Sequence, residues 1–186
     1  MENITFNQDI NTLTEIQFKI ILESGERKST LCGVELESLI YLSYGLVKIE
    51  IPDLLKEGKF LEVFQNILKE KGKSLTLSEI DDENHNDLLS VLIWIKDEME
   101  AIGNLEKEYL SSPPDADLIN AGIRELDELG EFNTIDTLAG GDILKHEQIR
   151  ALPYHYVFDK LRKQTLENKI AKNLAKIQQQ KMKQKR

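Results

Sequence analysis

The chain has 186 residues, 40% hydrophobic and 31% charged, with a formal net charge of -9, so a folded core is expected in one ordinary domain or one domain with an appended arm. That acidic balance argues against the chain as a whole binding nucleic acid or an anionic membrane. A single cysteine, Cys32, excludes an internal disulfide and a thiolate zinc cluster.

The charge is unevenly spread. Ten of the 24 Lys and Arg but one of the 33 acids, Glu167, fall in residues 160–186, which leaves about +9 there and about -18 over the remainder. The opening MENITFNQDI lacks the cationic-then-apolar order of a signal peptide. The longest apolar run, near Leu88–Ile95, falls far short of the ~20 residues that span a bilayer. A soluble protein of a reducing cytoplasm is the expectation.

In EIQFKIIL, residues 15–22, Ile16, Phe18 and Ile20 alternate with Glu15, Gln17 and Lys19, the period of a half-buried strand. ESGERK supplies turn chemistry and STLCGV a returning strand, together a hairpin. A helix competes, because Leu13, Ile16 and Ile20 also share a helical face. Beyond it, ELESLIYLSYG carries Leu36, Leu39, Ile40 and Leu42 at helical spacing, with Gly45 as the expected stop. LVKIEI reads as a short strand ended by Pro52. Asp53 is placed to cap DLLKEGKFLEVFQNILKEKG, where Gly58 inside the stripe of Leu54, Leu61, Phe64 and Leu68 divides the pattern into two shorter helices. Asp81, Asp82 and Glu83 read as a solvated acidic turn rather than a cation site.

The most regular pattern is NDLLSVLIWIKDEMEAIGNLEKEYL, with Leu88, Leu92, Ile95, Met99, Ile102 and Tyr109 at three- and four-residue steps. Ser111-Ser112-Pro113-Pro114 ends it and marks the expected boundary between an acidic helical body, residues 1–112, and a short-helix region, 113–159. There ADLINAGIRELDEL closes at Gly130, and TIDTLA, capped by Asn133 or Thr134, closes at Gly140. Asp142 caps ILKHEQIRAL. Pro153 opens the last helix, where its missing N–H costs nothing. Along that helix Val157, Phe158, Leu161, Leu166, Ile170, Leu174 and Ile177 form one apolar stripe. Residues 160–186 are thus a basic amphipathic helix, with QQQKMKQKR, which has no apolar repeat, frayed at its end. The fold class is mainly α: a helical body, a small N-terminal β-hairpin and a long basic C-terminal helix.

Chemistry finds no foothold. The Gly140-Gly141 pair is followed by Asp142 and ILK instead of the Lys-Ser/Thr of a phosphate loop. His146-Glu147 is not the start of HExxH, because position 150 is Arg. His146 and His155 fall on separate predicted helices with no third ligand at metal spacing. No Ser, His and Asp order suggests a nucleophile. No catalytic, cofactor-binding or metal-binding residue is therefore assigned, and no enzyme activity or cofactor is expected. The candidate site is a partner-binding face made of Phe158, Leu161, Leu166, Ile170, Leu174 and Ile177, engaging a partner helix or another copy of the chain. Nucleic acid is set aside as a partner, since the tail lacks aromatics for base stacking. A nucleic-acid-binding adaptor acting through the cations of the basic C-terminal helix is the remaining, less favoured alternative.

The order of parts in YLSSPPDADLINAGIRELDELGEFNTIDTLAGGDILKHEQIRALPYHYVFDKLRK is an acidic helical body, an AGI helix, a LAGGDILK junction, then LPY..VF.KL opening a charged helix. In this it resembles small phage tail-morphogenesis proteins of the tail assembly chaperone type. The resemblance implies a non-enzymatic bacteriophage protein that holds aggregation-prone tail components, above all the tape measure protein, in the bacterial cytoplasm during assembly. It equally admits a structural component of the tail, baseplate or head–tail connector that stays in the virion.

Overall fold

The computed structural model describes residues 6–13, 17, 21, 23, 25–111 and 116–184, with the backbone alone at 116, 118 and 184. It is mainly helical, with one two-stranded antiparallel sheet. Helix α1 (Phe6–Asn11) buries Phe6 and Ile10 one turn apart. Most of the strand expected over 15–22 lies outside the described residues, and Gln17, Ile21 and Glu23 within or beside it are helical. The hairpin is not the expected one across ESGERK: it turns inside STLCGV, the segment expected to be a single returning strand. Strands β1 (Thr30–Leu31) and β2 (Val34–Glu35) pair Leu31 with Val34 and Thr30 with Glu35. The connecting Cys32 and Gly33 both have positive φ, 48° and 75°, which suits the right-handed twist of a two-residue hairpin loop.

The expected helix over 35–45 is reduced to a single 3-10 turn, Leu39–Tyr41, capped by the Ser38 hydroxyl. Its amide ends are satisfied from another element: Glu98 accepts from Ser38 Oγ at 2.5 Å and from Leu39 N–H at 3.0 Å. Gly45 does not stop a helix. It lies in right-handed helical backbone, and a Cβ there would stand 3.2 Å from Arg150 Cβ, so its role is close approach between segments. The strand expected at LVKIEI is also corrected. Leu46–Glu50 is a π-helical turn, with Ile51 N–H donating to the Leu46 carbonyl, that runs into α2 (Ile51–Lys56). Pro52 has no N–H for the Lys48 carbonyl, so the wider turn forfeits one bond fewer than it would elsewhere. Asp53 accordingly sits inside the first turn of α2 and not at its cap.

Gly58, at φ 69°, separates α2 from α3 (Phe60–Glu70), as its place in the stripe suggests. Helix α3 buries Phe60, Leu61, Val63, Phe64, Ile67 and Leu68. The short α4 (Leu77–Asp81) opens on a capping box of Thr76 and Glu79. Helix α5 (His85–Tyr109), capped by Asn84, lays Leu88, Val91, Leu92, Ile95 and Ile102 into the core. Asp81 is not part of a purely solvated turn. It accepts the Phe6 N–H at 2.6 Å, while His85 Nδ1 stands 2.6 Å from Asp9, so the two aspartates tie α1 to the α4–α5 corner.

Past residue 111, α6 (Ala116–Asn120) is followed by Ala121, and Gly122 at φ 88° caps a 3-10 stretch, Ile123–Leu129. The single helix expected over 116–129 is therefore two pieces, and the second buries none of its residues. Helix α7 (Glu131–Ala139) closes on left-handed Gly140. It begins ahead of Asn133 and Thr134, which lie inside it. Asp142 accepts from Leu144 N–H at 3.1 Å and leads through a 3-10 turn into α8 (His146–Arg150). Pro153 precedes α9 (Tyr154–Gln184), a helix of 31 residues that continues through the described part of QQQKMKQKR rather than fraying there.

One apolar cluster holds these parts together. Besides the side chains of α1, α3 and α5 it includes Ile135, Tyr154 and Val157 from beyond the Ser-Ser-Pro-Pro segment. No helix among the described residues is long and apolar enough to cross a membrane.

Candidate partner-binding surface

The start of α9 is held on the body by backbone. Tyr44 N–H donates to the Leu152 carbonyl at 2.7 Å and Tyr154 N–H to the Leu42 carbonyl at 2.8 Å, an antiparallel bridge of Ser43 with Pro153. Above it the rings of Tyr44 and Tyr154 stack at 6.2 Å, 6° from parallel. Their hydroxyls point to carboxylates: Tyr44 donates to Glu131, and Tyr154 to Glu106 at 2.9 Å. Lys48 Nζ lies between those acids, 2.7 Å from Glu106 and 3.4 Å from Glu131. Burial, followed by the neighbouring carboxylates, pushes both phenols far above their ordinary range. Two buried phenols that stay protonated serve as permanent donors. This group pins α9, α5, α7 and the π-helical turn together.

The six stripe residues then divide. Phe158 and Leu161 are partly buried and packed on the core. The Phe158 ring stands edge-on to Tyr109 and stacks on Tyr154. One turn on, the Arg162 guanidinium lies 4.5 Å from the centre of the Tyr109 ring, which caps the last contact with the body. Leu166, Ile170, Leu174 and Ile177 are 51%, 65%, 54% and 47% exposed. From Leu166 through Lys183 every residue is exposed, so about 25 Å of helix stands clear of the body. At 100° per residue, those four aliphatic side chains fall within an arc of roughly 80°. Lys169 and Lys176 border one edge of that arc, and Lys163 and Lys181 continue it at either end.

A second apolar surface, which the sequence pattern did not single out, lies on the body. Ile49, Leu129, Phe132 and Ile135 line a groove of about 400 Å³ between α2, α7 and α8. Asp53, Glu131 and Glu147 also line it, with His146 and Arg150. Arg150 is matched by Glu50 at 3.6 Å and Glu147 at 3.3 Å, and His146 Nε2 lies 3.1 Å from Asp136. The adjoining 3-10 stretch adds exposed Glu125, Leu126, Asp127 and Glu128. The signal in the sequence was LDELGEF, where acids and large apolar residues alternate with no helical face to bury.

His155 turns its Nδ1 to the Ile40 carbonyl at 3.1 Å, so His146 and His155 have separate partners. Among the described residues no group of three or more His, Cys, Asp or Glu is arranged to hold a metal ion. The Cys32 thiol is pushed up to about 11, by burial first and then by Glu83, which leaves it protonated and a poor nucleophile near neutral pH. No protein-family model matches the chain, and neither do curated proteins or solved structures.

Proposed function

We propose that the chain is a non-enzymatic virion-morphogenesis protein of the tail assembly chaperone type, acting in the host cytoplasm by binding tail components such as the tape measure protein. The observation that carries the reading is the projecting part of α9. Fully burying a large aliphatic side chain is worth about 1.5–3 kcal/mol, and four of them in register are left in water. A helix of this kind binds by laying its apolar face into a groove or against another helix, and its cations suit an acidic partner.

Co-expression with the tape measure protein tests it. The full chain should keep that protein soluble, and a chain ending at Lys163 should not. Equal solubility with and without the arm would end the chaperone reading. Mass spectrometry of washed particles then separates an assembly factor, absent from them, from a structural component of tail, baseplate or connector, present at stoichiometric copy number. Arm-dependent binding of duplex DNA that survives moderate salt would instead favour the adaptor role.

A further inference from the structure

Two unpartnered apolar surfaces of opposite charge occur in this one chain. The arm of α9 offers Leu166, Ile170, Leu174 and Ile177, bordered by Lys169, Lys176 and Lys181. The groove offers Leu129, Phe132 and Ile135 beside Asp53, Glu131 and Glu147, which outnumber the Arg150 cation in the same lining, and the neighbouring Glu128 adds to that acidic balance. The arm does not fill its own chain's groove, because α9 is continuous from Tyr154 and its residues from Leu166 through Lys183 are all exposed. From this complementarity we infer that the groove receives the α9 arm of a second copy, so that each chain in the pair gives an arm and accepts one.

The fit is one of size as well as charge. A groove of about 400 Å³ lies at the lower end of the range that binds compact apolar groups, roughly 300–1,000 Å³. It takes a few aliphatic side chains from a single helix face and not the whole stripe. The exposed 3-10 stretch beside it, with Leu126 46% and Leu129 48% exposed, adds apolar surface next to the groove. Carboxylates at the rim meet ammonium groups at the border of the stripe, which steers encounter and sets which way the helix lies. Reciprocal exchange closes the assembly with twofold symmetry and covers part of each stripe.

The inference rests on reading α9 as a partner-binding arm, but not on the identity of any tail component. The test is sedimentation equilibrium on the full chain. Association should appear as concentration rises and weaken roughly tenfold between about 0.05 M and about 0.5 M salt. A groove-reversed chain (Asp53→Lys, Glu128→Lys, Glu147→Lys) and an arm-reversed chain (Lys169→Glu, Lys176→Glu, Lys181→Glu) should each stay monomeric alone. Mixed in equal amounts they should associate again, because each surface then meets its opposite. All six positions are exposed, and circular dichroism melts check that both chains fold. A wild-type chain that stays monomeric at low salt overturns the inference. So does association that survives groove reversal, which would mean that two arms pair with each other. The groove-reversed chain keeps its arm, so its capture of the tape measure protein reads the proposed function separately from the failure or success of self-association.

Discussion

At Cys32 the backbone takes φ 48°, a left-handed conformation that costs a residue with a Cβ about 1–2 kcal/mol unless its side chain compensates. Asparagine compensates best, and Asn-Gly is the favoured pair for this two-residue loop. Cys32→Asn is therefore expected to stabilise the fold by up to about 1 kcal/mol, raising Tm by about 2–4 °C in a chain of this size. Calorimetry checks it, and an unchanged or lower Tm would mean that the partly buried thiol contributes more packing than the turn conserves strain. The same burial holds the thiol up to about 11, so the wild-type cysteine should react slowly with iodoacetamide at pH 8 and much faster once the chain is unfolded. In the sequence STLCGV read as one returning strand, because ESGERK carried the stronger turn chemistry and placed the expected loop upstream. What decided the position was the cross-strand partner, since Leu31 and Val34 both pack on the core.

Helices with a long apolar period were legible, and short ones set by caps or tertiary partners were not. Helix α5 shows the first case: its stripe repeats through seven turns, and the structure begins it one residue from the expected start. The 3-10 turn at Leu39–Tyr41 shows the second. Leu36, Leu39, Ile40 and Leu42 fit a helix, yet Glu98 from α5 takes the Ser38 hydroxyl and Leu39 amide, and Leu42 and Tyr44 bond to the start of α9. Those bonds come from residues far along the chain, which no local period encodes. Helix α4 did carry a readable signal in Thr76-x-x-Glu79. Its capping box holds the Glu79 carboxyl below the usual carboxylate range through its bonds to the Thr76 backbone and side chain. A depressed folded-state pKa contributes stability above the unfolded value and loses it as pH falls through the folded one. Thr76→Ala should thus lower Tm at neutral pH, with the gap to wild type narrowing as pH drops below about 4. A gap that stays constant across that range would show that the cap acts without the carboxylate. On α9 the stripe itself was legible, but its division was not. Val157→Asp, in a side chain 2% exposed, should lower Tm steeply, since it places an unpaired charge in the core. Leu174→Asp should leave Tm within a degree or so while abolishing self-association and partner capture. A marked fall in Tm for Leu174→Asp would place the distal stripe in the core instead.

In the whole molecule, the core crosses the boundary that composition suggested. Helix α5 stops at Tyr109, ahead of the Ser-Ser-Pro-Pro segment, but Ile135, Ala139, Tyr154 and Val157 return to bury themselves. Of these, Ile135, Tyr154 and Val157 join the same cluster as Phe64 and Leu92. The backbone bridge at Ser43 and Pro153 and the Lys48, Glu106 and Glu131 group join the two sides as well. A chain cut after Leu110 would therefore expose the walls that received those side chains, at about 1.5–3 kcal/mol for each large one. It would also leave Lys48 without Glu131 and Glu106 without the Tyr154 hydroxyl. Against the 5–15 kcal/mol that holds a typical domain folded, that loss is decisive, so this fragment should aggregate or melt far below the full chain. A cut after Lys163 removes nothing from the core: Phe158, Leu161 and the Arg162–Tyr109 contact remain. The shorter chain should melt within a few degrees of the full one and lose only self-association and partner capture. The pair of truncations separates the two roles of the C-terminal region, structure up to about Arg162 and binding beyond it. If the fragment ending at Leu110 instead folds cooperatively and stays soluble, residues 1–112 are an independent domain and the later helices are an appendage to it.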